Sequence, residues 1–349
     1  MPAQGIDVLI RGAGPVGCAL ALALRDCGLR VGLLEASQAR PSFRPLALSY
    51  ASRLILERLG AWEALEATPI ETVHVSQQQG FGRTRMDAAD AGVAALGYVT
   101  QYSALLSVLR RDCKNLMVER ELAARCVVHA EGTPEAAEKR YGQDALVALV
   151  RTDPASSAIA FERFTPEGPL ALLPLAGRYA LIWSCRPERA ASLLESTEQS
   201  FLKQLAAAAG SRPGQPIEVE ARAVQPLVRR VRATRVEARS VYIGNAAQSL
   251  HPVAGQGLNL GLRDAWELSR AFLDAEDPGD ARLLARYAAS RRFDAQATVR
   301  VTDALAGAFL GSGRILRAAR GAALTALDVF PGPRRFFARR MMFGPSALP

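Results

Sequence analysis

Apolar residues at the start of the chain form two short runs with a helical pattern between them. Residues 6–10 and 29–35 are apolar on both faces, as expected for strands of a parallel sheet that helices cover on both sides. Residues 16–27 are rich in Ala and Leu, and Gly28 ends that stretch as a helix stop. Strand, glycine turn, helix and strand within about 30 residues predict a βαβ unit.

Further along the chain, apolar and polar residues alternate, and later the pattern of buried strands and helices returns. Alternating residues between 72 and 86 predict antiparallel strands. Further strands are predicted at residues 126–130, 145–151, 158–164, 169–175, 179–185 and from 217, with helices at 52–65, 103–111, 188–194 and 198–209. A strand at 240–244 and a helix at 258–274 follow, and the chain after Pro278 is predicted to be helical, with breaks at Pro331 and Pro333.

This order predicts an α/β fold in which an antiparallel-sheet substrate domain is inserted into a nucleotide-binding domain, followed by C-terminal helices. The predicted nucleotide-binding domain comprises residues 1–70, 98–138 and 239–310, the substrate domain 71–97 and 139–238, and the helical tail 311–349.

A glycine motif lies between the first strand and the first helix, which is the context of a dinucleotide-binding loop. Gly12 permits the tight turn, Gly14 lets the backbone approach a pyrophosphate, and Gly17 lets the helix pack on the strand. The helix N-terminus after Pro15 supplies free N–H groups for phosphates, and Glu35 closes the second strand, where a carboxylate accepts hydrogen bonds from a ribose. These five residues are the predicted contacts of a dinucleotide, NAD or FAD.

A second glycine-rich segment, YIGNAAQSLHPVAGQGLNLG, runs from Tyr242 to Gly261. Here the chain resembles the single-component flavin-dependent aromatic hydroxylases. The form Gly-Asn-Ala-Ala-Gln-x-Leu-His-Pro is similar to the branch of that family that makes ubiquinone, and in particular to the hydroxylases of 2-polyprenyl-6-methoxyphenol. Residues 44–49 and 161–174 are similar to the same branch, and the similarity extends over nearly the whole chain.

The resemblance implies a Rossmann-like domain that binds FAD. In this family the second loop surrounds the ribityl chain and the isoalloxazine ring, the next helix directs its N-terminus at the flavin, and an arginine-containing loop meets the FAD phosphates. The contacts that the resemblance adds are Arg44, Gly244, Asn245, Gly255, Gln256, Gly257, Leu258 and Asn259. It places His251 and Pro252 beside the flavin, where His251 has either an acid–base or a positional role; no metal is expected.

The activity that the resemblance implies is hydroxylation of the aromatic ring of a polyprenylated phenol. NADH or NADPH reduces the FAD, molecular oxygen reacts with the reduced flavin, and a flavin hydroperoxide delivers one oxygen atom to the ring. Residues 169–175 are the expected wall of an apolar substrate pocket, although they suit an ordinary sheet core equally well. Hydroxylation of a small soluble phenol is an alternative, against which residues 245–252 argue.

Residues 113–140 depart from the family pattern. The segment 114–125 is short, and Ala-Asp-Gly followed by Ser and Arg is replaced by Ala-Glu-Gly followed by Thr and Pro at residues 130–134. Glu131 keeps a carboxylate one methylene further out, and the missing Arg weakens the case for NAD(P)H docking. Two interpretations follow: a trimmed but active hydroxylase, or a non-catalytic flavoprotein or scaffold among other ubiquinone-pathway proteins.

Composition bears on compartment and partners. The net charge is +9, but no nucleic-acid-binding motif accompanies it, which argues against nucleic acid as a partner. Five scattered cysteines, no signal peptide and no apolar run long enough to span a bilayer predict a cytoplasmic protein. The Arg- and Phe-rich residues 334–343 suggest peripheral contact with the inner face of the membrane; a helix pair packed on the flavin domain with a solvated basic face is the alternative.

Overall fold

The computed structural model describes residues 5–35, 43–249, 255–273, 275–310 and 313–344, without the side chains of residues 301–310 and 314. His251 and Pro252, predicted to lie beside the flavin, are outside these residues. None of the described helices combines the length and the apolar character that crossing a bilayer requires.

Most predicted strands and helices have a counterpart in the structure, while the strands at residues 45–49 and 97–101 were not predicted. The strands are β1 (Ile6–Arg11), β2 (Val31–Leu34), β3 (Pro45–Ser49), β4 (Thr68–Ile70), β5 (Thr72–Gln77), β6 (Arg83–Asp87), β7 (Gly97–Gln101), β8 (Met117–Val118), β9 (Ala124–His129), β10 (Lys139–Asp153), β11 (Ile159–Phe164), β12 (Pro169–Leu175), β13 (Arg178–Cys185), β14 (Gln215–Val231), β15 (Val236–Glu237), β16 (Ser240–Tyr242) and β17 (Gln248–Ser249). The helices are α1 (Pro15–Ala23), α2 (Tyr50–Arg58), α3 (Ala88–Ala91), α4 (Tyr102–Asp112), α5 (Pro187–Glu195), α6 (Glu198–Ala209), α7 (Gln256–Phe272), α8 (Ala281–Leu310), α9 (Arg314–Val329) and α10 (Pro331–Phe343).

The first sheet has the strand order β15-β16-β9-β1-β2-β8. Its central strand β1 runs parallel to β2, with Val8 opposite Val31, and parallel to β9, with Val8 opposite Cys126. Strand β16 also runs parallel to β9. Apolar side chains of α1, α4 and α7 belong to the same core, so the sheet is buried by helices. The predicted βαβ unit is confirmed.

The second sheet has the order β17-β14-β10-β13-β12-β11-β5-β6. Its paired strands are antiparallel except β11 and β5, which run parallel with Phe161 opposite His74. The sheet predicted as antiparallel is therefore mixed, because β5 enters it from an earlier segment of the chain rather than through a hairpin with β11. Helices α5 and α6 cover one face, where Trp183 and Phe201 are buried.

A small third sheet, β3-β7-β4, and the C-terminal helices complete the fold. Helix α9 packs on β5 and β6, with Leu324 against Phe164. Helix α10 packs near α2, where the ring centroids of Phe343 and Tyr50 lie 5.6 Å apart. The tail therefore contacts the second sheet as well as α2 and β3.

Two predicted helix boundaries are corrected by local geometry. Helix α2 ends at Arg58 because Gly60 has a φ of +74° and the N–H of Ala61 donates to the carbonyl of Leu56 at 2.9 Å, which is a Schellman ending. Pro333 does not break the tail; it lies in the first turn of α10, where its missing N–H has no helical partner to lose.

Candidate functional site

The loop between β1 and α1 forms a cradle of bare backbone. Gly12 has a φ of +109°, and a Cβ atom at this position would overlap the side chain of Glu131. A Cβ atom on Gly17 would overlap the carbonyl oxygen of Gly12, so α1 approaches the loop as closely as backbone can. Gly14 caps α1 without a side-chain hydrogen bond, and Pro15 opens the helix. The first amides of α1 are thus available to a phosphate.

Glu35 lies just after β2 and is held by Arg110 of α4. The carboxylate accepts a hydrogen bond from the Arg110 guanidinium at 2.7 Å, and the same guanidinium donates to the carbonyl of Ala13 at 3.1 Å. Arg110 therefore ties the predicted ribose contact to the phosphate loop. The sequence analysis did not find Arg110, because an arginine in the last turn of a helix is also expected on general electrostatic grounds.

The shortened segment before Glu131 still completes the first sheet. Met117 of β8 lies opposite Leu33 of β2, and Ala124 of β9 lies opposite Ile6 of β1. Glu131 follows β9 and lies against the phosphate loop. The shortening has therefore not removed the strands that position that loop.

Arg44 and Tyr102 lie together near the phosphate loop. The Arg44 guanidinium carbon is 5.4 Å from the centroid of the Tyr102 ring, and the N–H of Tyr102 donates to the carbonyl of Arg44 at 2.9 Å. A Cβ atom built on Gly14 would lie 3.6 Å from the Tyr102 hydroxyl. The position of Arg44 is thus compatible with its predicted contact to a phosphate.

The second glycine loop reaches a common cavity with β3. Gly244 and Asn245 lie in a short 3-10 turn after β16, and Asn245 is exposed toward this cavity. Gly255 caps α7 and is so close to β3 that its Cβ would lie 2.9 Å from that of Ala47. The first turn of α7, starting at Gln256, lines the same cavity and directs the positive end of the helix toward it.

The side chain of Asn259 holds the start of α7 in place. Its side-chain oxygen accepts hydrogen bonds from the Ser49 amide at 2.8 Å and the Ser52 hydroxyl at 2.7 Å. Its side-chain nitrogen donates to the carbonyls of Ala47 at 2.9 Å and Gly255 at 2.8 Å. All four hydrogen-bonding positions of this amide are used within the protein. Asn259 thus joins α7 to β3 and α2 while it lines the cavity, and its contact with the cofactor stays a prediction.

A buried ion-pair network lies beneath the second loop. Asp264 of α7 is fully buried and pairs with Arg235 at 3.1 Å and Arg291 at 2.9 Å. Its carboxylate also accepts hydrogen bonds from the Gln248 side chain at 3.0 Å and the Gly244 amide at 3.3 Å. Burial alone would raise the pKa of Asp264, but Arg235 and Arg291 hold it below its usual value. This network, which the sequence analysis missed, anchors the turn that carries Asn245.

The cavity between β3, the second glycine loop, the second sheet and the tail helices has a volume of about 560 Å³. Its wall on the second sheet is mostly apolar and consists of Val73, Val75, Met86, Ala160, Glu162, Phe164, Ala171, Leu173, Ile182 and Ser184 with their neighbours. Opposite, α9 and α10 contribute Arg320, Ala323, Leu324, Leu327, Phe337, Ala338, Met341 and Met342. The predicted wall strand β12 therefore does line a cavity, and it borders the core as well.

Glu162 is the one carboxyl group among the described residues that line this cavity. It lies on the apolar wall, and it makes no hydrogen bond or ion pair with any described residue. Burial raises the pKa of Glu162 to about 8. No sequence pattern marks Glu162 as a site residue, because its isolation is visible only in three dimensions.

The described residues fit FAD. The phosphate loop provides a cradle that any side chain on Gly12 or Gly17 would fill, and Glu35 and Arg44 lie at its two sides. Arg44 also lines the cavity, which extends past Asn245 and the start of α7 to the second sheet. The predicted contacts therefore converge, apart from the undescribed His251 and Pro252.

Comparison with known proteins agrees with this arrangement. Residues 127–302 match the family model of the FAD binding domain. The chain is 30% identical to the ubiquinone hydroxylase UbiL of Rhodospirillum rubrum over 382 residues, covering 96% of this chain and 89% of that protein. It is 29% identical to the 3-demethoxyubiquinol 3-hydroxylase of Escherichia coli, covering 84% of this chain and 87% of that protein.

Solved structures support the fold. The structure of Klebsiella pneumoniae HpxO with FAD and uric acid superposes with a TM-score of 0.78 at 16% identity, covering 99% of this chain and 97% of that one. Pseudomonas aeruginosa PqsL in complex with 2-aminobenzoylacetate superposes with a TM-score of 0.75 at 22% identity, covering 89% and 98%. At these identities the similarity is one of fold.

Proposed function

The chain belongs to the family of FAD-dependent hydroxylases of ubiquinone biosynthesis, and we propose that it hydroxylates the aromatic ring of a polyprenylated phenol. The reductant is NADH or NADPH, and molecular oxygen is the co-substrate. The names of the two relatives described above refer to ubiquinone and to 3-demethoxyubiquinol, which supports a substrate of this class.

The observation that carries this proposal is the shape and lining of the cavity described above. One end is formed by Asn245 and the first turn of α7, and the wall beyond it is formed by apolar side chains of β5, β11, β12 and β13. A ring at the junction would lie next to the flavin, and an isoprenoid chain would extend between the apolar wall and α9. An apolar tail gains free energy there by leaving water.

The protein contributes binding, orientation and the exclusion of water, while bound FAD supplies the redox chemistry that activates oxygen. The backbone around Gly12 and Gly14 would hold the pyrophosphate, with Glu35 at the ribose and Arg44 at a phosphate. The N-terminus of α7 would stabilise negative charge on the flavin pyrimidine. Leu324 and Met342, both buried, close the cavity on the side of the tail helices and limit the entry of water.

Purified protein tests the proposal. We expect it to retain FAD and to oxidise NADH or NADPH with oxygen when a 2-prenylated phenol is added, with hydroxylated phenol formed in proportion. Protein that takes up no added FAD would contradict the proposal. Bound FAD that neither nicotinamide reduces would favour the scaffold role, and equal kcat/KM for a phenol without the prenyl chain would favour a small soluble substrate.

The tail helices support peripheral contact with an anionic membrane at its inner face. Exposed apolar side chains on α9 and α10 include Ile315, Phe330 and Phe336, and Arg335 and Arg339 are exposed beside them. Apolar side chains next to cationic ones are the pattern that inserts at a lipid surface. The membrane would then deliver a prenylated substrate close to the cavity that these helices border.

Vesicle flotation of the full chain tests this contact, since truncation would remove one wall of the cavity. We expect binding to vesicles of phosphatidylcholine with phosphatidylglycerol, and loss of binding when Ile315, Phe330 and Phe336 are all replaced by Glu. The matched control is Ile217→Glu, which replaces an exposed apolar residue of β14. Equal flotation of the wild type and the triple variant would end the membrane proposal.

A further inference from the structure

We propose that Glu162 recognises the phenolic hydroxyl group of the substrate and takes its proton during hydroxylation. This inference rests on the proposed function, because it names the group that receives the phenol within the same cavity. No comparison or motif assigns a role to this residue.

The register of the second sheet places Glu162 in the middle of an apolar wall. It lies opposite Val75 on β5 and opposite Ala171 on β12, and Ala171 lies opposite Ile182 on β13. Directly paired residues in a sheet project to the same face, and all four line the cavity. The carboxylate therefore projects from an apolar surface into the cavity.

Glu162 differs from the two glutamates of β14. Glu218 on β14 pairs with Arg151 at 2.5 Å, and Glu220 pairs with Arg178 at 2.8 Å. Glu162 has no such partner among the described residues, although part of its surface is open to the cavity. A carboxylate placed in apolar surroundings without a hydrogen bond is destabilising. A ligand that donates a hydrogen bond to it would remove that unfavourable state.

Among the described residues that line the cavity, Glu162 is the charged group that can accept a proton. Arg44 from the segment before β3 and Arg320 from α9 line the same space, and neither lies within ion-pair distance of Glu162. Guanidinium groups do not accept protons. Burial raises the pKa of Glu162 to about 8, which makes its carboxylate a stronger base than an exposed one.

The proton transfer is balanced as follows. The oxygen–oxygen bond of the oxidant that the proposed function supplies breaks as its outer hydroxyl oxygen bonds to the ring, and the oxygen left on the oxidant keeps the electron pair. Positive charge then spreads to the phenolic oxygen, and its O–H bond becomes strongly acidic. That bond breaks, the proton goes to a carboxylate oxygen of Glu162, and the ring becomes a cyclohexadienone. The ring carbon that received oxygen then loses its hydrogen as a proton, which water carries to the oxygen left on the oxidant, and the phenolic oxygen takes its proton back from Glu162. The residue is unchanged over the cycle.

The test compares wild-type holoenzyme with Glu162→Gln, using a 2-prenylphenol and its methyl ether. We expect the substitution to lower kcat/KM for the phenol by about 100-fold or more, in the range of general-base catalysis. In the wild type, kcat/KM should rise with pH to a plateau above a pKa of about 8, and this limb should be absent from the variant. The control Glu218→Gln, in an exposed ion pair of the same sheet, should keep the wild-type profile.

Binding gives a second measurement that does not depend on turnover. Flavin absorbance changes should show the wild type binding the phenol at least about 10-fold more tightly than the ether, as for a hydrogen bond to a charged group. This preference should be lost in Glu162→Gln. Equal dissociation constants for the two ligands in the wild type overturn the inference, even where the variant loses FAD.

The outcomes separate this inference from the proposed function. A wild type that hydroxylates no prenylated phenol contradicts the proposed function. A wild type that does so, together with a Glu162→Gln variant of equal kcat/KM and equal pH dependence, overturns only the role of Glu162.

Discussion

At Gly17 the first helix and the phosphate loop touch backbone to backbone, which makes this residue a sensitive test of FAD binding. The methyl group of Gly17→Ala has to displace the carbonyl of Gly12. We expect a loss of stability of about 1–3 kcal/mol, as for other overpacked sites, together with loss of FAD during gel filtration. The flavin-to-protein absorbance ratio and thermal unfolding measure the two effects.

The matched control is Gly332→Ala in the first turn of α10, where an added Cβ meets nothing within 4 Å. It should retain FAD and unfold at the wild-type temperature. A Gly17→Ala protein that keeps full FAD occupancy would show that the loop does not hold the pyrophosphate.

Asp264 is a second position where a single side chain holds a loop in place. Asp264→Asn leaves Arg235 and Arg291 without their buried counter-charge, so we expect a loss of about 3–5 kcal/mol in the free energy of unfolding. Urea denaturation measures it. The control is Asp277→Asn, which removes an exposed pair with Arg239 and should cost about 1 kcal/mol or less.

The pH dependence of that loss follows from the lowered pKa of Asp264. Its stabilisation is fully present above the ordinary aspartate pKa of about 3.9 and is lost as pH falls through the lower folded-state value. The difference between wild type and Asp264→Asn should therefore shrink in acid. A difference that stays constant into strong acid would contradict the ion-pair explanation.

Whether a site residue can be predicted depends on how far apart in the sequence the residues that it contacts lie. Gly12 and Gly17 were predictable because their requirement is local to one strand–helix turn. Glu35 pairs with Arg110, which lies 75 positions away in the sequence, and no sequence pattern links the two residues. The isolation of Glu162 depends on register across several strands, which no single segment encodes.

Among the elements, those with clear periodicity and end signals were predicted best. Residues 169–175 coincide with β12, and residues 198–209 coincide with α6, whose N-cap Thr197 accepts a hydrogen bond from the Ser200 amide at 3.3 Å. The first helix was predicted to reach residue 27, but α1 ends at Ala23 and a turn follows before Gly28. The parallel pairing of β5 with β11 could not be predicted from either strand alone.

The tail helix α9 is expected to close the substrate cavity, and Leu324 tests this. Leu324 is 6% exposed and packs against Phe164 and Val75. Leu324→Ala should lower the free energy of unfolding by about 2 kcal/mol through the space it leaves, and it should raise KM for a prenylated phenol more than KM for the untailed phenol.

Leu316→Ala on the same helix is the control, because Leu316 is 37% exposed and its truncation should change stability by about 0.5 kcal/mol or less. Equal effects of Leu324→Ala on both KM values would place the prenyl chain elsewhere.

At the scale of the whole molecule, the second sheet and the tail helices enclose a cavity in which Glu162 serves function at a cost in stability. The pKa of this carboxyl group is raised from its ordinary value of 4.5 to about 8. Between these values the folded protein keeps a proton that the unfolded chain releases, so the free energy of unfolding falls as pH rises through this window. Gln does not titrate. In the FAD-bound protein, Glu162→Gln should therefore unfold at the wild-type temperature at about pH 4 and at a higher temperature at about pH 9.

Glu218→Gln provides a control of opposite sign, since Arg151 lowers the pKa of Glu218 and its ionised form is the favoured one in the folded protein. The unfolding temperature of this variant should not rise above that of the wild type at high pH. Stabilisation of Glu162→Gln that grows with pH, combined with its loss of phenol turnover, would show that the fold retains an unpaired carboxylate at the expense of stability because the substrate needs it. An unfolding temperature that shifts equally at both pH values would mean that Glu162 is solvated in the folded protein, and it would remove the basis for its role as a base.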